Sequence, residues 1–219
     1  MSRKLAVFDC DGTLVDGQAA ICSAMDTAFA EAGLQAPDHH QVRRIVGLSL
    51  PGAVRLLVPS APAEIQAAVV AGYKQAFRTS RLEGRLEEPL FPGIRDLVAN
   101  LRRDGWAVAV ATGKSDRGLT SCLEVHGMGD WFVSLQTADR HPSKPDPAML
   151  HAAMADAGAE ASTTAMIGDT TYDMEMAANA GVRAIGVGWG YHDPAELTAA
   201  GASGVAGDMD SLERMLRGG

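Results

Sequence analysis

The sequence predicts an α/β protein: a parallel-sheet, Rossmann-like core with three layers (α/β/α), interrupted by an inserted α-helical domain. Three observations carry this. Beyond about residue 94, short apolar runs rich in Val, Ala and Ile alternate with segments of helical period, the pattern of a parallel sheet with crossover helices. One further apolar run, Leu5-Ala6-Val7-Phe8, stands alone near the other end of the chain. Between them, 16–88 carries helical periodicity and no strand-like run.

Leu5-Ala6-Val7-Phe8 has the length and composition of a buried parallel strand. Past Val15-Asp16-Gly17 the period changes: Ile21, Ala24, Met25, Ala28, Phe29 and Ala32 recur at helical spacing, and Gly33 closes the run. A short helix is expected from Pro37-Asp38 to Val46. Another opens at Ser49-Leu50-Pro51, with Ser49 as N-cap and Pro51 in the first turn. A longer helix follows Pro62, with Ile65, Val69, Gly72 and Phe77 on one stripe. Pro89 to Gly93 marks a boundary, so the core is expected at 1–15 and 89–219 and the insert at 16–88. In the second part the spacing predicts helix 94–103, strand 106–111, helix 116–126, strand 131–136 and helix 147–157. Strand 164–167, helix 172–180, strand 183–187, helix 194–199, a small strand at Val205 and helix 211–216 complete it.

Composition narrows the function classes. The 219 residues are 47% hydrophobic and 21% charged, an ordinary globular balance. A net charge of −8 without a dense basic cluster argues against nucleic acid as a partner. No apolar run approaches the ~20 residues of a membrane span. Too few apolar residues follow Met1-Ser2-Arg3-Lys4 for a secretory leader. Cys10, Cys22 and Cys122 have no paired spacing, and a reducing, cytoplasmic setting is expected. Cys10 is not expected to be a nucleophile, because alternation points it away from its acidic neighbours. The six histidines have no trusted metal-ligand spacing and read as surface or loop residues.

Four predicted strand ends carry polar residues that would converge at one edge of the sheet, where open α/β sheets bind ligands. They are Asp9 and Asp11, Thr112-Gly113, Lys144 between Ser143 and Pro145, and Gly168-Asp169 with Asp173 one helical turn on. Asp9 and Asp11 share one side of the chain, and two like charges so close call for a cation, with Mg²⁺ the obvious hard candidate. Taken singly, Lys144 also fits a turn lysine and Asp169 a helix N-cap. Together the groups suit phosphate-ester hydrolysis, with carboxylates as nucleophile and acid/base, hydroxyl, amide and lysine for the phosphoryl oxygens, and further carboxylates for a metal. Two other motifs fail. Gly113-Lys114-Ser115 resembles the end of a P-loop, but Val108 stands where its first glycine belongs. Gly186-Val187-Gly188-Trp189-Gly190 has Tyr191 where a dinucleotide loop needs glycine.

Asp9-Cys10-Asp11-Gly12-Thr13-Leu14-Val15-Asp16, Ala111-Thr112-Gly113, Lys144-Pro145-Asp146-Pro147 and Gly168-Asp169-Thr170-Thr171-Tyr172-Asp173-Met174 resemble, in order, the four motifs of the haloacid dehalogenase superfamily. The insert resembles that family's α-helical cap, and the chain is most similar to its phosphoglycolate phosphatase-like group. The resemblance implies Asp9 as nucleophile and Mg²⁺ ligand, and Asp11 as general acid/base with its carbonyl on the metal. It implies Thr112 and Gly113 as phosphoryl ligands, Lys144 as the substrate-binding cation that neutralises the phosphoryl group, Asp169 completing the metal site, and Asp173 as ligand or orienter. Gly12 and Thr13 would shape the loop, and the substrate would be a small phosphorylated metabolite. The chain is expected as a monomer or weak homodimer.

Within the family, Asp11 argues against dehalogenation and phosphonate cleavage. A β-phosphoglucomutase-like sugar phosphomutase is the main alternative, but it carries a phosphate-gripping arginine where Leu50 stands here. A non-catalytic phosphate-binding protein would lack the nucleophile or a metal ligand, and neither is lost. Arg43, Arg44 and Arg55 are candidates for a substrate carboxylate, or solvated helix residues.

Overall fold

The computed structural model describes residues 3–218; Met1 and Ser2, on which part of the leader argument rests, lie outside them. Six parallel strands form one sheet in the order β3-β2-β1-β4-β5-β6. They are β1 (Leu5–Phe8), β2 (Ala107–Thr112), β3 (Ser134–Thr137), β4 (Thr164–Gly168), β5 (Arg183–Val187) and β6 (Val205–Ala206). Strand order reverses between β1 and β4, which places a crevice beyond their carboxyl ends. Phe8 is level with Val110 and Ile167, so the residues just past each strand emerge at one edge.

Alternation decides the layers. Ala6, Phe8, Val108, Val110 and Ile167 face a cluster with α5 (Ile94–Arg103), α6 (Asp116–Val125) and α10 (Met209–Arg217). Leu5, Val7, Ala107, Ala109 and Met166 face α7 (Ala148–Ala157), α8 (Thr171–Asn179) and α9 (Pro194–Ala199). Each large side chain so buried contributes about 1.5–3 kcal/mol. In α5 the buried set Ile94, Leu97, Val98 and Leu101 follows the helical stripe.

Between β1 and α5 lie α1 (Gln18–Glu31), α2 (His39–Arg44), α3 (Leu50–Leu57) and α4 (Ala63–Leu82). They bury their own cluster of Ile21, Met25, Phe29, Val42, Val54 and Val69. Among the described residues no helix is long and apolar enough to cross a membrane.

Several boundaries differ from expectation. Thr112 closes β2 instead of following it, and β3 starts at Ser134 because Gly129–Trp131 forms a 3₁₀ turn. α10 starts at Met209, drawn forward by Asp208, whose carboxylate accepts the Ser211 N–H at 2.7 Å. Ser49 occupies the N-cap of α3, but its side chain makes no capping bond there.

Candidate active site

The first predicted strand end becomes a tight loop. The Asp9 N–H still donates to the Ile167 carbonyl at 2.9 Å, and Leu14 and Val15 then donate back to the Cys10 carbonyl. Gly12 sits at φ +81°, and a Cβ there would run into the Asp169 carboxylate; glycine is required on both counts. Cys10 turns into the core beside Cys122, as alternation predicts.

Past β4, Asp169 is fully buried, accepting from Thr13 Oγ1 at 2.9 Å and from the Tyr191 N–H at 3.0 Å. It is not the helix cap: Thr170 is, and Asp173 closes a capping box with it. Asp173 Oδ2 accepts from Thr170 N and Oγ1, which leaves Oδ1 to Lys144 Nζ at 2.6 Å. The same ammonium lies 3.0 Å from Asp9 Oδ1. Lys144 does sit in a turn, but its side chain is closed to solvent between two carboxylates.

Asp9, Asp169 and Asp173 each offer an oxygen, all within 4.8 Å of one another. Three buried carboxylates against one lysine are electrostatically incomplete. Burial, with Asp173 adding and Lys144 opposing, pushes the Asp9 carboxyl up to about 7. Burial and the charges of Asp9 and Asp173 hold Asp169 well above the usual carboxylate range. Asp9 Oδ2 is buried without a hydrogen-bond partner. Hard oxygen donors, excess negative charge and an unused oxygen fit a hard dication such as Mg²⁺.

The Asp11 side chain does not belong to that cluster. Lys114 Nζ stands 3.0 Å from its Oδ1 and 2.5 Å from Glu88 Oε1, with the Phe77 ring of α4 5.9 Å away. Burial raises the Asp11 carboxyl, and Lys114 opposes the shift. The cation that two neighbouring aspartates call for is therefore, on the Asp11 side, a lysine of this chain. Sequence reasoning passed over Lys114 as the end of a failed P-loop; its place directly after Thr112-Gly113 was the available signal.

Thr112 is buried, its hydroxyl accepting from the Lys114 N–H at 3.2 Å. At Gly113 a Cβ would lie 2.7 Å from the Gly47 carbonyl and inside that of Leu48, so the loop between α2 and α3 rests directly on it. Nearby, the Ser49 N–H donates to Ser143 Oγ at 2.8 Å, and Tyr172 Oη to the Arg44 carbonyl at 3.3 Å. His192 departs from the surface reading of the histidines. It is buried, with Nδ1 accepting from the Thr171 N–H and Nε2 3.1 Å from the Arg44 carbonyl.

A cavity of about 650 Å³ opens between the inserted helices and the sheet edge, lined by Asp9, Asp11, Thr112 and Gly113 on one side. Lys144, Asp169 and Asp173 do not line it; they are packed around Asp9. Leu50 does line it. Arg43, Arg44 and Arg55 do not, and Arg44 is paired with Glu196. The cations that reach the cavity are Lys74, Arg78, Arg81, Lys114 and Arg117.

The haloacid dehalogenase-like hydrolase family model matches residues 6–187. The chain is 39% identical to the probable phosphatase IndB of Dickeya dadantii over 201 residues, 90% of this chain and 86% of that one. It is 30% identical to a phosphoglycolate phosphatase of Pseudomonas syringae pv. tomato over 218 residues, 98% of this chain and 79% of the relative. Its fold superposes on the crystal structure of a hydrolase from Pseudomonas syringae with a TM-score of 0.86, at 24% identity and 98% coverage of both chains.

Proposed function

We propose, because the chain belongs to the haloacid dehalogenase-like hydrolase family and is a phosphatase, that it is a Mg²⁺-dependent enzyme working through an aspartyl-phosphate on Asp9. The substrate is a small phosphorylated metabolite, with phosphoglycolate, named in a relative, as the model. Residues 16–88 act as a helical cap over 1–15 and 89–219. The three cysteines, buried and outside any disulfide, suit a reducing cytoplasm.

The observation that carries this proposal is the Asp9 carboxylate: it borders the cavity, is gripped on one oxygen by Lys144, and has the other oxygen unpartnered. Phosphate monoesters resist hydrolysis so strongly that on the order of 20 kcal/mol of barrier lowering is needed. Asp9 attacks phosphorus; the new carboxylate–phosphorus bond forms as the ester P–O bond breaks. Asp11, entering protonated, gives its proton to the departing oxygen. Now a carboxylate, Asp11 takes a proton from water, which attacks the same phosphorus and releases Asp9 and phosphate. The Thr112 hydroxyl and Gly113 N–H donate to the phosphoryl oxygens. Asp9, Asp169 and Asp173 would hold Mg²⁺, with the Asp11 carbonyl. When bound, the ion screens the nucleophile from the phosphoryl dianion. Lys144 fixes Asp9 and Asp173 in that arrangement.

Purified protein with Mg²⁺ should release phosphate from p-nitrophenyl phosphate; EDTA or Asp9→Asn should abolish release. Turnover surviving either change contradicts the mechanism. Interconversion of sugar phosphates with little net phosphate release would mark a mutase instead.

A further inference from the structure

The cavity is larger than a two-carbon phosphate needs, and it carries more positive charge than one phosphoryl group needs. At about 650 Å³ it lies within the ~300–1,000 Å³ range of pockets that enclose drug-sized ligands. Its walls above the sheet edge are largely apolar, with Met25, Ile45, Leu48 and Phe77 among them.

The charge is unevenly placed. Lys74, Arg78 and Arg81 lie at i, i+4 and i+7 of α4, on one face of that helix. Arg117 approaches from the core, in the first turn of α6, where the helix dipole disfavours a cation. Among the described residues none of these four is ion-paired with a carboxylate. Lys114 and Lys144, by contrast, are each shared between two. Arg81 Nε is buried with no hydrogen-bond partner. Besides Asp9 and Asp11 the cavity has one more carboxylate, Asp139, whose Oδ2 accepts the Asp116 N–H at 2.9 Å. In a chain of net charge −8, the exposed Lys74, Arg78 and Arg117 gather at the cavity around Arg81, and it is the half-buried Arg81, with its Nε unsatisfied, that calls for a ligand.

We infer that the leaving group is a bulky, apolar-bodied moiety bearing a second anionic group, a carboxylate or a further phosphate, held by Arg78, Arg81 and Arg117. The inference rests on the phosphatase reading and extends it beyond phosphoglycolate, which shares the second anion but lacks the body.

Aryl phosphates test it, since the ring stays constant while the distal charge changes. 4-Carboxyphenyl phosphate should exceed its neutral isostere, 4-carbamoylphenyl phosphate, in kcat/KM by about tenfold or more, the scale of a charge-assisted hydrogen bond. It should also exceed 2-phosphoglycolate. The carboxyl-to-carbamoyl ratio should collapse toward one in Arg81→Met and in the Arg78→Met/Arg117→Met double variant. Because it is a ratio within one protein preparation, partial misfolding does not mimic the result. 1,4-Phenylene bisphosphate, compared in the same way, tells a carboxylate preference from a phosphate preference. Wild-type preferences near one for both the carboxylate and the second phosphate, preferences that survive the substitutions, or 2-phosphoglycolate as the best substrate would overturn the inference while leaving the phosphatase reading intact. No hydrolysis of any ester would overturn both.

Discussion

Lys144 Nζ lies 2.6 Å from Asp173 Oδ1, and both side chains are closed to solvent. With its second bond to Asp9, the lysine ties two carboxylates of the site to one another. Lys144→Met should therefore damage folding as well as turnover. Stripping one partner from a buried pair costs about 3–5 kcal/mol, measurable by urea unfolding of the metal-free protein. Added Mg²⁺ should recover part of that loss, since a cation among the same carboxylates replaces some of the missing charge. A variant as stable as wild type would show that Lys144 is not the cluster's counter-charge.

The Asp9 carboxyl sets a pH dependence of stability. Its ordinary value is 3.8 and burial in the folded protein carries it to about 7, so the folded state holds this proton more tightly than the unfolded state. Unfolding between those values releases a proton. The contribution of Asp9 to stability is fullest below the lower value and is lost as pH rises through the upper one. In metal-free protein, the unfolding free energy of wild type relative to Asp9→Asn should fall across that window. Stabilisation by Mg²⁺ should grow across it, because protons compete with the ion. A pH-independent difference would contradict the buried, cation-poor description of the cluster.

Lys114 joins the proposed acid to the return segment from the inserted helices through Asp11 and Glu88. Lys114→Met should leave Asp11 misplaced, and a misplacement near 1 Å can cost about 10²-fold in rate. The loss should be greater for alkyl phosphates, whose leaving oxygen needs a proton, than for p-nitrophenyl phosphate, whose leaving group needs little help. Equal losses on both would mean that Lys114 does not act through the acid.

Gly113 is pressed against the Gly47 and Leu48 carbonyls. Gly113→Ala should hold the inserted helices off the sheet edge, raising KM and lowering kcat by about tenfold or more each, with little change in the unfolding midpoint. Wild-type kinetics in this variant would show that the close approach has no part in turnover.

Much of this arrangement was legible in the sequence because fully buried parallel strands are apolar runs with polar ends. β1 and β4 are followed directly by Asp9 and Asp169, and β2 closes on Thr112, for that reason, and the residues at and just beyond these strand ends share an edge. What the sequence hid depends on contacts between distant segments. Lys114 meets Glu88 26 residues away, and His192 reaches Arg44 across 148. The sequence offers Arg43, Arg44 and Arg55 as candidates for a substrate carboxylate. α2, however, directs Arg44 to Glu196, and α4, whose pattern reads as an amphipathic helix, supplies Lys74, Arg78 and Arg81. Period locates a helix face but not what lies across from it.

Attack by Asp9 on phosphorus is the central claim, and the stereochemical course of hydrolysis tests it most directly. With a phosphorothioate ester made chiral by two oxygen isotopes and hydrolysed in water of the third, which leaves a chiral thiophosphate, two successive in-line displacements, first by Asp9 and then by water, restore the original configuration. Retention at phosphorus is the predicted result. Inversion would mean that water attacks the ester in a single step and that Asp9 is not the nucleophile.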